Sequence, residues 1–173
     1  AQNILKAGFN LTAFNRTKKK AQGLSKNGAE VVNSIKEAVE KSKIIVTMLS
    51  DDDAVLSVIS NKDFLENIKK NSIVIDMSST KPSTSKKINE ILKKKEIYFL
   101  DAPVSGGTSG AKNGNLAIMV GGEKEVFNKA LNLLNTMGNP TLVGPIGCGQ
   151  IAKLANQIIV GITIGAVAEA IHL

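Results

Sequence analysis

Cysteine and histidine are nearly absent from this sequence, which contains one of each, Cys148 and His172. A single cysteine excludes an internal disulfide framework and a cysteine-based zinc site. A single histidine argues against a histidine-rich metal site and a Ser-His-Asp triad. The run Asp51-Asp52-Asp53 could suggest a metal, but a helix N-terminus stabilised by negative charge is the commoner explanation. We therefore expect no metal, and we expect a reducing compartment, the cytoplasm or an organelle matrix, of which we predict the cytoplasm.

Aromatic residues and arginine are also scarce. Aromatics make up 3% of the residues, so the sequence offers no base-stacking platform for nucleic acids. The net charge is +7, from 22 basic and 15 acidic residues, and Arg16 is the one arginine among the basic residues. The lysines are dispersed singly or in short groups, which is typical of solvated helix faces. A nucleic-acid partner is therefore not expected.

A signal peptide and a membrane span are not evident either. The first residues, AQNILKAGFN, lack a charged segment followed by an apolar one. Asn156 and Gln157 interrupt the longest apolar run, which leaves fewer than the roughly 18 residues that a membrane span needs. The sequence begins within a helix-like run without Met and ends within an apolar helix without a cap, so we interpret it as a fragment.

Apolar strands alternate with helical segments along the 173 residues. Strands are predicted at Asn10–Phe14, Ala29–Val32, Ile44–Leu49, Ser72–Ile75, Ile97–Leu100, Leu116–Val120 and Thr141–Val143. Helices are predicted over Ala1–Ala7, Thr17–Lys26, Ile35–Ser42, from Ser50–Asp53 onward, from Pro82 to about Lys95, over Glu123–Met137 and from Gly147 to the end. The continuous apolar run Ile44–Leu49 is typical of a strand buried on both faces. This alternation predicts an α/β fold with a mostly parallel sheet and helices on both faces.

Ligands of such sheets bind beyond the carboxyl ends of the strands, where this sequence has polar loops. Arg16 follows what we interpret as the second strand of a dinucleotide-binding fold, where arginine accommodates the 2′-phosphate of NADP. A surface arginine is the alternative, and no G-x-G-x-x-G loop precedes it; that loop would lie before Ala1. Ser105-Gly106-Gly107, with Gly110 and Gly114, forms a glycine-rich loop that could bind a carboxylate or phosphate, although a turn-rich connection explains it about as well.

The final helix carries a polar stripe on an otherwise apolar surface. Lys153 and Gln157 are four residues apart and therefore share one helix face, which Asn156 borders. Lys153 is either a lysine whose tip reaches water from the edge of a core helix or a group whose proton is used in a site. The residues alone favour the first interpretation.

The polar loops together resemble a known family, the β-hydroxyacid dehydrogenases. The segments DAPVSGGTSGAKNGNLAIMVGG (Asp101–Gly122) and GCGQIAKLANQ (Gly147–Gln157) are similar to its signature segments. AQNILKAGFNLTAFNRT, TMLSDDDAV and IDMSST resemble its cofactor-binding loops, in family order. The resemblance implies a Rossmann-type, doubly wound domain over residues 1–146. It also implies that residues 147–173 begin a long interdomain helix, which leads to an all-α domain outside this sequence.

The resemblance also assigns roles to individual residues. Lys153 matches the family's catalytic lysine, and Ser105, Gly106 and Gly107 match the loop that holds the substrate carboxylate. Gln157, with neighbouring Asn156, matches a substrate-binding position. Asn15, Arg16 and Thr17 match the adenosine-phosphate loop, Met48 and Leu49 line the dinucleotide, and Ser79 lies near the nicotinamide.

The implied activity is hydride transfer between NADP or NAD and a small β-hydroxy acid or semialdehyde that carries a carboxylate. Arg16 favours NADP. Family substrates include 3-hydroxyisobutyrate, tartronate semialdehyde, glyoxylate and succinic semialdehyde, and the full-length protein is expected to be a homo-oligomer. Because the family completes its site with the helical domain, this chain alone is expected to be inactive. A non-catalytic dinucleotide-binding scaffold is the alternative, which the presence of Lys153 disfavours.

Overall fold

The computed structural model describes residues 1–173, which form nine helices and eight strands. The helices are α1 (Gln2–Lys6), α2 (Lys18–Ser25), α3 (Ile35–Glu40), α4 (Asp52–Ile59), α5 (Lys62–Asn67), α6 (Pro82–Lys93), α7 (Gly107–Asn113), α8 (Lys124–Leu134) and α9 (Cys148–His172). The strands are β1 (Thr12–Ala13), β2 (Glu30–Val31), β3 (Ile44–Thr47), β4 (Ile73–Asp76), β5 (Tyr98–Asp101), β6 (Val104–Ser105), β7 (Leu116–Gly121) and β8 (Gly138–Gly144).

Most strand pairs are parallel, as predicted. β1 and β2 form a parallel two-stranded sheet, and the other six strands form one sheet in the order β3-β4-β5-β7-β6, with β8 paired to β7. The β3–β4, β4–β5 and β7–β8 pairs are parallel. β7 runs antiparallel to β5 and β6. The helices between parallel strands return the chain to the same edge, so the carboxyl ends of β3, β4 and β5 lie side by side.

Side chains of the central strands alternate between two apolar clusters, one on each face of the large sheet. In β4, Ile73 and Ile75 belong to one cluster and Val74 to the other. Helix α8 covers the first face with Val126, Ala130, Leu133 and Leu134. Helices α4, α5 and α6 cover the second face with Val55, Ile59, Phe64, Ile88 and Leu92. Helices on both faces of a mostly parallel sheet confirm the predicted doubly wound α/β fold.

Two predicted helix starts are confirmed by their caps. The Ser34 hydroxyl accepts the backbone N–H of Glu37 at 3.2 Å, and the Glu37 carboxylate folds back onto Ser34, which is the predicted capping box of α3. The Asp51 carboxylate accepts the backbone N–H of Ala54 at 2.8 Å and begins α4. Asp51 therefore acts as a helix cap, the interpretation preferred over a metal ligand.

Two predicted features are wrong. The run from Ile44 is not a strand buried on both faces: β3 ends at Thr47 and its first three residues are half-buried, because β3 is an edge strand of the large sheet. The segment after Pro103 is not a glycine-rich loop: it forms β6 and α7. Positive φ angles at Gly106 (132°) and Gly107 (61°) make the tight turn between them, and Gly114 (φ 67°) ends α7.

Helix α9 is not a core helix of this chain, and only Gly149 and Gln150 in its first turn are buried. After its first turns it leaves the sheet, and its large apolar side chains are exposed: Ile151, Leu154, Ile158, Ile159, Ile162, Ile164, Val167 and Ile171. Length and composition alone would allow α9 to cross a membrane. Asn156 and Gln157 therefore do not reduce α9 below the length and hydropathy of a possible membrane span, contrary to the prediction. The absence of a membrane partner stays a prediction.

Candidate active site

Three buried polar residues lie side by side at the carboxyl ends of the parallel strands. Thr47 of β3 is the register partner of Asp76 in β4, and Asp76 is the partner of Asp101 in β5. Both carboxylates are fully buried. Burial raises the pKa of both carboxyls above the ordinary value for aspartate, although hydrogen bonds to each oppose the shift.

Asp76 connects the two loops that are predicted to bind the dinucleotide. Its Oδ1 accepts hydrogen bonds from the Thr47 hydroxyl at 2.8 Å and from the Ser78 hydroxyl at 2.6 Å. The Ser78 hydroxyl oxygen in turn accepts the backbone N–H of Leu49 at 2.9 Å. The loop after β3 and the loop after β4 are therefore held in one arrangement through buried hydrogen bonds.

Asp101 holds the start of α9 against the same edge of the sheet. Its Oδ1 accepts the backbone N–H of Gly147 at 2.7 Å, and its Oδ2 accepts that of Gln150 at 3.0 Å. A carboxylate at the positive end of a helix satisfies N–H groups that have no partner within the helix. Gly149 makes this close approach possible, since a Cβ there would lie 2.4 Å from the Met119 carbonyl oxygen and 2.6 Å from that of Asp101.

The polar stripe of α9 meets β6 at Ser105. The Asn156 side-chain amide donates to the Ser105 hydroxyl at 3.4 Å and to the Gln157 side-chain oxygen at 3.1 Å. Lys153, on the same stretch of the helix, is half-buried, and burial lowers its pKa from the ordinary 10.5. The structure therefore brings Asn156, Gln157 and Ser105 together next to a partly desolvated ammonium group.

The predicted cofactor-binding residues lie on two sheets. Met48, which is 66% exposed, half-buried Leu49 and exposed Ser79 follow neighbouring strands of the large sheet. Arg16 follows β1 of the small sheet; it is exposed and takes part in no ion pair. In the same loop the Asn15 amide donates to the Thr17 carbonyl oxygen at 2.9 Å. Gly106 and Gly107 are exposed at the turn between β6 and α7.

Sequence reasoning missed the three buried residues that hold these loops together, Asp76, Asp101 and Gln150. One signal was available for the aspartates, because each directly follows three apolar residues of a strand and therefore stands at its carboxyl end. Gln150 gave no comparable signal, since a glutamine near a helix N-terminus is ordinarily solvated. Its side chain is only 1% exposed.

Comparisons with known proteins identify the family model and the relatives to which this chain is similar. Residues 1–152 match the family described as the NAD-binding domain of 6-phosphogluconate dehydrogenase. The chain is 41% identical over 172 residues to an uncharacterised oxidoreductase of Bacillus subtilis, covering 98% of this chain and 60% of that protein. It is 37% identical to a probable mitochondrial 3-hydroxyisobutyrate dehydrogenase of Dictyostelium discoideum, covering 100% of this chain and 54% of the relative. An NAD-dependent L-serine dehydrogenase of Pseudomonas aeruginosa is 35% identical, with 100% and 59% covered.

Solved structures share the fold. The chain superposes on the Mycobacterium tuberculosis 3-hydroxyisobutyrate dehydrogenase determined with L-serine with a TM-score of 0.93 and 30% identity, covering 98% of this chain and 58% of that one. An imine reductase from Myxococcus stipitatus in complex with NADP+ has a TM-score of 0.92 at 22% identity, which shows a shared fold alone.

The family assignment applies to the region that this chain shares with its longer relatives. The chain spans 54–60% of the three curated relatives described above. Its matched residues include the strand ends, the loops after them and the first turn of α9. This chain therefore belongs to the β-hydroxyacid dehydrogenase family, whose NAD-binding domain, of the 6-phosphogluconate dehydrogenase type, it carries.

Proposed function

We propose that the full-length protein is an NAD(P)-dependent dehydrogenase or reductase of a small β-hydroxy acid or semialdehyde, with Lys153 as its general acid and base. One observation carries the proposal. The helix that bears Lys153 and Asn156 is hydrogen-bonded at its first turn to the loop of Ser79 and, one turn after Lys153, to Ser105. A cofactor loop, a proton-transfer group and an anion-binding turn therefore converge on one helix.

The residues at the strand ends fit a dinucleotide. Exposed Met48 offers an apolar contact at an otherwise polar edge, and Leu49 and Ser79 flank it on loops that buried hydrogen bonds hold in place. When bound there, a nicotinamide cofactor supplies or accepts the hydride. Asn15, Arg16 and Thr17 follow β1, and in this proposal they recognise the adenosine phosphate.

The turn at β6 suits the carboxylate of the substrate. Gly106 and Gly107 leave the backbone open to close approach, and the Ser105 hydroxyl and the Asn156 and Gln157 amides supply neutral donors beside it. Holding the carboxylate there fixes the reacting carbon relative to Lys153, which removes much of the entropic barrier.

Lys153 has the chemistry that the reaction needs at the substrate oxygen. In reduction that oxygen gains negative charge, which the Lys153 ammonium stabilises and neutralises by donating a proton. In oxidation the Lys153 amine accepts the hydroxyl proton. Because its pKa is lowered, Lys153 interconverts between its ammonium and amine forms at a pH closer to neutral.

The pH dependence of the rate tests this role. Reduction requires the ammonium, so kcat/KM for reduction should fall tenfold per pH unit above the pKa of Lys153, which lies below 10.5. Oxidation requires the amine, so kcat/KM for oxidation should rise with pH up to the same value and then level off. Steady-state rates of both directions between pH 6 and pH 10 measure the two limbs. Limbs that do not move in opposite directions would contradict the assignment.

Substrate identity is tested by a screen of the full-length protein. Glyoxylate, succinic semialdehyde, tartronate semialdehyde, 3-hydroxyisobutyrate and L-serine would each be assayed with both nicotinamide cofactors at 340 nm. L-serine is included because one relative is named a serine dehydrogenase and another was solved with L-serine. Turnover of a compound that carries a carboxylate supports the proposal, and no turnover of any compound with either cofactor overturns it.

Cofactor preference depends on Arg16 in this proposal. Replacing Arg16 by Asp removes a guanidinium that can bind the 2′-phosphate and adds a repelling carboxylate. NADPH affinity should fall about 10- to 100-fold, since charge-assisted hydrogen bonds contribute about 1.5–3 kcal/mol, while NADH affinity should change little. Fluorescence titration with both cofactors measures the difference. Lys20→Asp, an equal change of charge on exposed α2, is the matched control, and an NADPH affinity that Arg16→Asp leaves unmoved would contradict the assignment.

The exposed apolar side of α9 bears on the full-length protein. The relatives are longer than the region they share with this chain, and a contiguous exposed apolar surface of this kind is typical of an interaction surface. We infer that a helical domain of the same protein, or of a neighbouring subunit, covers α9 and completes the site. Sedimentation of the full-length protein would show a homo-oligomer.

A further inference from the structure

We propose that Gln150 is a positioning residue that holds the nicotinamide loop Ser78–Thr80 at a fixed place relative to Lys153. The inference rests on the proposed hydride-transfer function and adds to it a residue that does not itself touch the substrate. The Gln150 side chain is buried, and two hydrogen bonds join it to this loop.

The side-chain amide of Gln150 forms hydrogen bonds to the loop backbone on both sides of Ser79. Its Nε2 donates to the Ser78 carbonyl oxygen at 2.9 Å, and its Oε1 accepts the backbone N–H of Thr80 at 3.1 Å. These two backbone groups belong to the residues that flank Ser79, so the amide fixes the backbone of Ser79 without occupying the exposed surface that Ser79 presents. A primary amide matches this pair of groups because it has both a donor and an acceptor.

The backbone of Gln150 is fixed as firmly as its side chain. Its N–H donates to the Asp101 carboxylate at 3.0 Å, and the preceding Gly149 packs against backbone oxygens of β5 and β7. The Gln150 side chain is 1% exposed, so water cannot replace the bonds it makes. An unpaired buried donor or acceptor is costly, and the loop therefore has little freedom to move away from α9.

The position of Gln150 in α9 connects its contact with the Ser79 loop to Lys153. Lys153 follows three residues later, which is a rise of about 4.5 Å along the same helix. Gln150 thus connects the loop that carries Ser79 to the helix that carries Lys153 through one short, rigid segment. In hydride transfer, a nicotinamide ring bound beside Ser79 would have to reach the substrate carbon while Lys153 reaches the oxygen on that carbon, and a misplacement of about 1 Å can cost roughly 100-fold in rate.

Gln150→Met tests the proposal in the full-length protein. Met has a similar length and no branching, so it can occupy the same buried space without either hydrogen bond. We expect kcat to fall about 30- to 100-fold, KM for the carbonyl substrate to change less than threefold, and the affinity for the cofactor to change less than tenfold. The kinetic isotope effect with C4-deuterated cofactor should increase, because hydride transfer becomes rate-limiting.

Thr84→Val is the control that shows how the loss of a polar contact elsewhere in the fold affects stability and kcat. The Thr84 hydroxyl donates to Asp52 and connects α4 with α6, a part-buried polar contact that does not involve residues Ser78–Thr80. Both substitutions should lower Tm, but only Gln150→Met should change the isotope effect and kcat. A kcat for Gln150→Met within threefold of the unmodified protein, or an equal loss of kcat in Thr84→Val, overturns the role of Gln150. If the unmodified full-length protein transfers no hydride to any substrate of the screen, the proposed function is wrong and the role of Gln150 falls with it.

Discussion

Replacing Lys153 by Met in the full-length protein is expected to lower kcat by about 10²–10⁴-fold and to leave cofactor affinity unchanged. General acid–base catalysis by a positioned side chain contributes this range of rate. Met keeps the length and the apolar part of the lysine side chain, so the half-buried site stays filled while the proton donor is lost. Stopped-flow reduction at neutral pH measures kcat, and fluorescence titration measures cofactor binding.

Lys153→Arg distinguishes proton transfer by Lys153 from the effect of its positive charge, and Lys87→Met is the control for the loss of a lysine. Lys153→Arg keeps a positive charge that does not deprotonate, so it should retain part of the reduction rate and lose the oxidation rate. Lys87→Met removes an exposed lysine of α6 and should change kcat less than twofold. A near-normal kcat for Lys153→Met would return Lys153 to the alternative interpretation, a lysine whose tip reaches water from a helix edge.

Gly149→Ala is expected to cause a large loss of stability, about 3 kcal/mol, because the added methyl group has no space. Its Cβ would lie 2.4 Å from the Met119 carbonyl oxygen and 2.8 Å from Asp101 Oδ2, and two of its three nearest neighbours are backbone atoms. The start of α9 would have to move off the sheet and stretch the Asp101 contacts with Gly147 and Gln150. Denaturant unfolding measures the change, and Tm should fall by about 6–12 °C.

Gly23→Ala is the matched control for this substitution. Gly23 also lies within a helix, α2, but a Cβ there would meet no atom within 4 Å. Alanine is the better helix former, so Gly23→Ala should raise the free energy of unfolding by up to about 1 kcal/mol. Equal effects of the two substitutions would show that α9 does not pack against β5 and β7 as described.

Some of the site could be predicted from residue types that have a local meaning. Arg16 and Ser79 stand three residues after the ends of β1 and β4, and Gly106 directly follows β6. The alternation of strands and helices predicts that strand ends share one edge. The prediction for Gly107–Asn113 was wrong because glycines usually indicate a loop, whereas here two of them form a tight turn and a third ends a short helix. The burial of β3 was misjudged because an apolar run does not reveal that its strand lies at a sheet edge.

The sequence by itself determined the alternation of strands and helices, apart from α5, β6 and α7, the doubly wound α/β class and the position of Lys153 on a long apolar helix, since each depends on periodicity and on capping residues close in sequence. Only the tertiary structure decided which polar groups hold the site together. Asp101 bonds to residues 46 and 49 positions away, and Gln150 to residues 70 and 72 positions away. Such bonds form because packing of the sheet and its helices brings distant polar atoms within 3.1 Å of each other, and no local pattern encodes that approach.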